Sequence, residues 1–332
     1  MVVLGLGELT DAVHKCKGFA EVAELEGALE DPVDLAPPIR NGHVSSIYDR
    51  AQPMTVSSES AAPRPLESPR DDRRSRELVV AAFFGPLANG LARLLLRLRI
   101  PPPTVVLANA VAGLFAALAL GRGALVAAAL LLQLKTLLDG ADGQLARLSG
   151  RVSLLGRYLD TEADLAVNVV LFVTLGALTG EPWLAAAAFV ALTLVLSVDF
   201  NVAQLYREAR SSPVAPPARS GGALEHALGR VYLLVFAPQD RLVRSVSAGR
   251  LERLLREEPD SLRRSEAALA YHDRATVAIV ANLGLSTQFV ALGVCLLLGA
   301  PEVYLWLALA QVLVLPVLQL RRERLARLVL RR

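Results

Sequence analysis

Six apolar stretches follow one another along the later part of the chain. They cover residues 104–120, 124–138, 165–178, 183–198, 276–298 and 303–320. Apolar stretches of about this length are typical of transmembrane helices, in which every backbone polar group is satisfied within the segment. The pattern therefore predicts an all-α, polytopic membrane protein with six transmembrane helices.

A further helix is predicted ahead of the first span, at residues 78–99. Leucines are interspersed there with Arg93, Arg97 and Arg99, which is the pattern of an amphipathic helix lying in the membrane interface. Prolines at positions 101–103 end it, because proline disrupts the interior of a helix. We expect this interfacial helix and the six spans to form one membrane domain, residues 77–332.

Residues 1–76 form an N-terminal tail of different composition. Its second half, residues 54–76, is rich in proline, serine, glutamate and arginine and has no sustained hydrophobic period. Such a segment buries too little apolar surface to fold, so the tail is predicted to be largely disordered. Met54 is the only methionine after Met1, and a native start at Met54 is a second hypothesis.

A charged insertion at residues 207–274 separates the fourth and fifth spans. It opens with a linker rich in proline, serine and glycine, and continues with an apolar helical pattern at 224–237 and an amphipathic one at 240–258. One interpretation is an interfacial cover whose arginines bind anionic lipid headgroups. The other is that the insertion shapes a substrate pocket.

The distribution of arginine predicts the orientation in the membrane. The connections after spans one, three and five are short, and Arg122 is the only arginine in them. The other connections and both flanks are rich in arginine. Positive residues favour the cytoplasmic side, so both termini and the loop after span two are predicted to be cytoplasmic. Trp183, Tyr304 and Trp306 lie beside the short loops, as an aromatic belt at the outer face requires.

Composition supports a membrane protein and argues against two other classes. With 53% hydrophobic residues and a mean hydropathy of +0.43, the chain is too apolar for an ordinary soluble protein of 332 residues. The net charge of only +3, with arginines placed between spans, does not favour a nucleic-acid-binding protein. Cys16 and Cys295 lie too far apart in sequence to indicate a disulfide framework or a thiolate metal site.

Four carboxylates lie between the second and third spans, at Asp139, Asp142, Asp160 and Asp164. Each pair is three or four residues apart, so on two helices joined by a short turn each pair shares one helical face. Four converging carboxylates repel one another unless cations neutralise them, and oxygen ligands suit Mg²⁺ or Mn²⁺. The sequence predicts a site for one or two divalent metal ions.

Small residues and an arginine follow the first acid pair. Gly143 and Ala146 remove side-chain bulk, and Arg147 offers a forked cation that suits phosphate. Together with the acids they indicate a bound nucleotide diphosphate. The alternative is that the acids only cap helix ends at the membrane surface.

This set of residues resembles the signature of the CDP-alcohol phosphatidyltransferases, integral membrane enzymes of phospholipid synthesis. The matching positions are Asp139, Asp142, Gly143, Ala146, Arg147, Gly156, Asp160 and Asp164, at the spacing of the signature. The six-span layout from about residue 80 onwards is similar as well. The resemblance implies transfer of a phosphatidyl-type group from a CDP-alcohol, such as CDP-diacylglycerol, to an acceptor hydroxyl, with release of CMP.

The resemblance also implies a role for each signature residue. Asp139, Asp142 and Asp160 are expected to bind Mg²⁺ or Mn²⁺, and Asp164 to be the general base and a further member of the metal-binding set. The CDP moiety is expected to contact Gly143, Ala146, Arg147 and Gly156. The expected partners are the CDP-alcohol donor, a hydroxyl acceptor and membrane lipids, with a homodimer left open. The expected location is a cell membrane of bacterial or archaeal type.

The acceptor and one alternative class stay open at the level of sequence. Glycerol 3-phosphate, an inositol phosphate, serine and a second lipid all fit the signature. Leu165 follows Asp164 where many relatives acting on phosphorylated acceptors have a basic residue, which argues against a phosphorylated acceptor. A soluble CDP-alcohol is an alternative donor. A cation-binding transporter or scaffold is the alternative class, although its acids would be expected nearer the membrane midplane.

Overall fold

The computed structural model describes residues 83–152, 154–210 and 222–331. The predicted disordered tail lies outside these residues, as do the first residues of the predicted interfacial helix and nearly all of the linker in the insertion. All regular structure in the described part of the chain is helical. The predicted all-α class is therefore confirmed.

Eleven helices make up the described part of the chain, in an order close to the prediction. They are α1 Gly85–Arg97, α2 Pro102–Gly121, α3 Leu125–Leu148, α4 Leu154–Thr179, α5 Pro182–Glu208, α6 Ala223–Leu255, α7 Ser261–Tyr271, α8 Arg274–Ala281, α9 Leu285–Leu297, α10 Pro301–Ala310 and α11 Val314–Leu330, with a 3₁₀ turn at Gln311–Leu313 between the last two.

Five helical runs among the described residues are long and apolar enough to cross a membrane. They are Pro102–Gly121, Leu155–Thr179, Pro182–Glu208, Ser261–Leu297 and Pro301–Leu330. Helix α3, the second of the six predicted spans, is 24 residues long but is not among them. The reason is chemical, because Lys135, Asp139 and Asp142 lie within its length. The architecture is that of a polytopic membrane protein.

Several helices differ from the predicted boundaries. The fourth span continues past residue 198 to the end of α5 at Glu208. The fifth span is interrupted at residues 282–284, so that α8 and α9 are separate helices. The sixth continues beyond residue 320 to the end of α11. The two helical patterns of the insertion form one 33-residue helix, α6, which runs through Pro238. An interior proline removes one backbone hydrogen bond and usually kinks a helix, so the sequence alone favoured a break there.

The core of the membrane domain is formed by apolar side chains of α2, α3, α4, α5, α9 and α10. Leu120, Leu132, Leu175, Leu292 and Leu305 are among the fully buried members of this cluster. Burial of a leucine side chain stabilises the fold by roughly 1.5–3 kcal/mol in aqueous surroundings; within lipid, close packing contributes instead. This core fixes the helices that carry the acids.

The prediction of an aromatic belt is wrong for one of its three residues, Tyr304. Trp183 and Trp306 are exposed, at 87% and 61% of their surface, as residues facing lipid headgroups should be. Tyr304 is only 1% exposed and lies in the core, with its ring centroid 6.0 Å from that of Phe172. Its position on α10 turns it inward, which closeness to a loop in the sequence does not reveal.

Candidate functional site

A tight turn reverses the chain between the two acid pairs. Helix α3 ends at Leu148, and Gly150 adopts a left-handed conformation with φ of 66°. The amide of Arg151 donates to the carbonyl of Ala146, and the amide of Gly150 donates to that of Arg147. These two bonds form a Schellman motif, which closes a helix and favours glycine at this position. The predicted arrangement of two helices joined by a short turn is what the structure contains.

Three of the four predicted acids converge. One carboxylate oxygen each from Asp139, Asp142 and Asp160 lies within 4.8 Å of the others. Asp142 and Asp160 are buried, at 3% and 7% exposure, and Asp139 is half-buried. Helix α3 supplies two of these acids and α4 the third, and both helices pack against α2.

The geometry of this cluster fits a hard divalent cation. All three donors are carboxylate oxygens, which Mg²⁺ and Mn²⁺ prefer. Opposite ligands of an octahedral Mg²⁺ lie about 4.2 Å apart, so a small side-chain movement would bring the oxygens into the first coordination sphere. Three carboxylates this close repel one another at low dielectric, and a bound cation would remove that repulsion.

The fourth acid, Asp164, lies outside this group and has a different partner. Its Oδ1 is 2.5 Å from Nζ of Lys135, whose side chain is fully buried. The same ammonium donates to Oδ1 of Asn109 at 3.3 Å. Lys135 lies one turn before Asp139 on the same face of α3, so its closeness to the acids follows from the sequence. Its pairing with Asp164 on α4 was not predicted.

The residues predicted to contact the CDP moiety lie on the same two helices, toward the turn. Gly143 is buried directly after Asp142, and Ala146 and Arg147 are half-buried near the end of α3. Arg147 lies about 7.5 Å further along the axis than Asp142. Gly156 occupies the first turn of α4, about 6 Å before Asp160. A ligand that contacted these four residues would extend from the acids toward the turn.

Besides the four predicted acids, α4 carries a buried acid, Glu162, that the sequence did not single out. Glu162 is 8% exposed, and neither of its carboxylate oxygens has a hydrogen-bond partner among the described residues. A buried carboxylate without a partner is costly. It lies about 200° around the helix from both Asp160 and Asp164, so it does not belong to the cluster.

Polar residues at the ends of the later spans stabilise helix ends and contacts. The Asp273 carboxylate caps α8, accepting from the amides of Ala275 and Thr276, and also accepts from Arg321 at 2.8 Å. The Asn201 amide of α5 donates to the Asp240 carboxylate of α6 at 2.7 Å. These contacts give Asp273 and Asn201 structural roles.

Comparison with known proteins agrees with the resemblance seen in the sequence. Residues 99–244 match the family model described as CDP-alcohol phosphatidyltransferase. This range contains both helices of the candidate site and every signature residue. No curated protein and no solved structure matches the chain significantly. Residues 99–244 thus match a CDP-alcohol phosphatidyltransferase domain, and the candidate site lies within it.

Proposed function

We propose that this protein transfers the phosphatidyl group of CDP-diacylglycerol to an acceptor hydroxyl at a divalent metal site formed by Asp139, Asp142 and Asp160. The observation that carries the proposal is the convergence of these three carboxylates within 4.8 Å on α3 and α4. A transporter would need acids along a pathway, whereas these lie at one end of the two helices. Mg²⁺ or Mn²⁺ bound there supplies positive charge to the pyrophosphate and to the leaving CMP.

Asp164 is the general base of the proposed reaction. The acceptor hydroxyl gives its proton to Asp164, its oxygen attacks the phosphorus that bears the lipid alcohol, and the bond from that phosphorus to CMP breaks. Lys135 holds Oδ1 of Asp164 at 2.5 Å, which leaves Oδ2 to accept the proton. The Asp164 side chain is 18% exposed, so an acceptor can approach it.

The CDP moiety is held on the turn side of the acids. Gly143, Ala146 and Gly156 leave room for it, and Arg147 binds phosphate oxygens through its forked guanidinium. The site lies at the cytoplasmic end of the spans, with both termini on that side, in a cell membrane of bacterial or archaeal type. There the lipid tails of the donor remain in the bilayer while a polar acceptor arrives from water.

The acceptor is proposed to be an alcohol without a phosphate group. Leu165 follows Asp164 directly and is half-buried, so it offers no charge to an acceptor phosphate. Serine or a lipid hydroxyl fits this position better than glycerol 3-phosphate.

Release of labelled CMP tests the proposal. Purified protein in liposomes is supplied with CDP-diacylglycerol, Mg²⁺ or Mn²⁺, and in turn serine, phosphatidylglycerol, glycerol 3-phosphate and an inositol phosphate. We expect CMP and the new lipid in equal amounts with one acceptor, and neither with Asp142→Asn. If a folded protein releases no CMP with any acceptor, the proposal is overturned. A parallel reaction uses a soluble CDP-alcohol as the donor. Release of CMP only in that reaction would show that the donor is wrong and the chemistry right.

A further inference from the structure

Lys135 is the most completely buried charged side chain in the described part of the chain. Its exposure is 0%, and its ammonium contacts helices on three sides. Nζ lies 2.5 Å from Asp164 Oδ1 on α4, 3.3 Å from Asn109 Oδ1 on α2, and 5.1 Å from the ring centroid of Phe289 on α9. An ammonium buried in this way is tolerated only when its charge is paired and its hydrogen bonds are made.

The neighbouring helices are shaped to hold the lysine in place. A Cβ atom on Gly113 would lie 3.1 Å from Cδ of Lys135 and 2.5 Å from Cγ1 of Val167. Only glycine therefore fits at this point of α2, between the lysine stem and the turn of α4 that follows Asp164. The ammonium is a fixed charge of the fold and not a mobile side chain.

The charge of Lys135 acts on the whole acid cluster. Besides its direct pairing with Asp164, the ammonium is attracted by the carboxylates of Asp139 and Asp160. An ion that bridged Asp164 to the cluster would have to displace the ammonium from Oδ1 of Asp164 or lie against it. Like charges at such a distance in a buried site repel strongly.

We propose that Lys135 is a resident second cation of the site, which ties Asp164 away from the metal and limits the site to one divalent ion at Asp139, Asp142 and Asp160. This inference rests on the proposed function, because it takes the three-acid cluster as the metal site. Lys135 is a positioning residue in this account. It acts on the reaction through the place and charge of Asp164.

Counting bound Mn²⁺ by electron paramagnetic resonance tests this directly. The purified full chain in detergent is titrated with Mn²⁺, and free ion is read from its six-line signal. We expect one tightly bound ion per chain, with the spectrum of an isolated Mn²⁺. Two tightly bound ions with a spin-coupled spectrum would overturn the inference and leave the proposed function intact. Binding of no ion would overturn the metal site itself.

Two variants of the lysine sharpen the test. Lys135→Met keeps the length of the side chain and removes its charge, so we expect a second Mn²⁺ to bind. Lys135→Arg keeps the charge and should keep one ion. A single ion in folded Lys135→Met would show that the lysine does not exclude the second ion, and would overturn the inference.

Asp164→Asn gives an independent reading if Lys135→Met does not fold. The inference expects this variant still to bind one Mn²⁺, with at most the modest loss of affinity that follows from leaving Lys135 unpaired, because Asp164 is not a ligand. A loss of Mn²⁺ affinity well beyond the roughly 10–100-fold seen when residues that only support metal ligands are changed would make Asp164 a metal ligand and contradict the inference.

Discussion

Ala88 of α1 packs directly on Gly140 of α3, since a Cβ atom on Gly140 would lie only 2.9 Å from the Cβ of Ala88. Gly140 lies between two of the clustered acids, Asp139 and Asp142. Helix α1 therefore packs against the back of the segment that carries the site. We predict that Gly140→Val destabilises the protein by about 1–3 kcal/mol, the usual cost of overpacking, and lowers activity, as measured by thermal unfolding in detergent and by CMP release.

Gly90 of α1 provides the matched control. A Cβ atom there meets nothing within 4 Å, and alanine is favoured over glycine in a helix by about 1 kcal/mol. Gly90→Ala should therefore unfold at the same or a higher temperature than the wild type. Equal unfolding temperatures for Gly140→Val and the wild type would show that α1 does not depend on this contact.

Arg147 is predicted to contact phosphate through two parallel hydrogen bonds. Lysine offers a point charge and cannot reproduce that fork. We expect Arg147→Lys to lower turnover severely while the unfolding temperature stays unchanged. Arg151→Lys, at an exposed position just beyond α3, is the control and should behave as the wild type. Wild-type kinetics in Arg147→Lys would mean that this arginine only anchors the membrane surface.

The three-acid cluster predicts dependence on a divalent metal. It contains no thiolate or imidazole, so hard cations should support activity. After exhaustive chelation CMP release should be lost, and added Mg²⁺ or Mn²⁺ should restore it. Full activity in the chelated protein would show that the reaction does not require a divalent metal.

Arg322 holds α11 to the helices that precede the fifth span. It is 5% exposed, its Nε donates to the carbonyl of Tyr271 at 3.1 Å, and its Nη2 donates to Ser247 Oγ at 3.1 Å. We predict that Arg322→Met lowers the free energy of unfolding by about 1–3 kcal/mol, because buried acceptors lose their donor. The exposed Arg324 is the control, and an equal effect of Arg324→Met in thermal unfolding would contradict the prediction.

The sequence predicted the helices and the placement of each acid pair on one helical face, because both depend on local spacing. Apolar periodicity placed the spans, and acids three or four residues apart predicted that Asp139 and Asp142 share a face. Gly150, which closes α3 in a left-handed conformation, lies in the short connection that the sequence predicted.

Contacts between distant helices could not be predicted in this way. The pairing of Lys135 with Asp164 joins α3 to α4 and depends on Gly113 of α2, which leaves space for the lysine stem. The inward orientation of Tyr304 and the continuity of α6 through Pro238 likewise depend on neighbouring helices. No periodicity in a single segment contains that information.

The central claim is a division of labour among the acids, in which Asp142 binds the metal and Asp164 accepts the proton. Asp164→Asn keeps the shape of the side chain but cannot take the proton, so transfer should fall on the order of 10²–10⁴-fold. Asp142→Asn should lose metal-dependent binding of the donor as well.

Calorimetric titration of both variants with a CDP-alcohol, with and without Mg²⁺, measures this division most directly. The account predicts that Asp164→Asn binds the CDP-alcohol in the presence of Mg²⁺ as the wild type does, whereas Asp142→Asn shows no Mg²⁺-dependent binding. Equal loss of binding in the two variants would contradict it and make Asp164 an ordinary metal ligand.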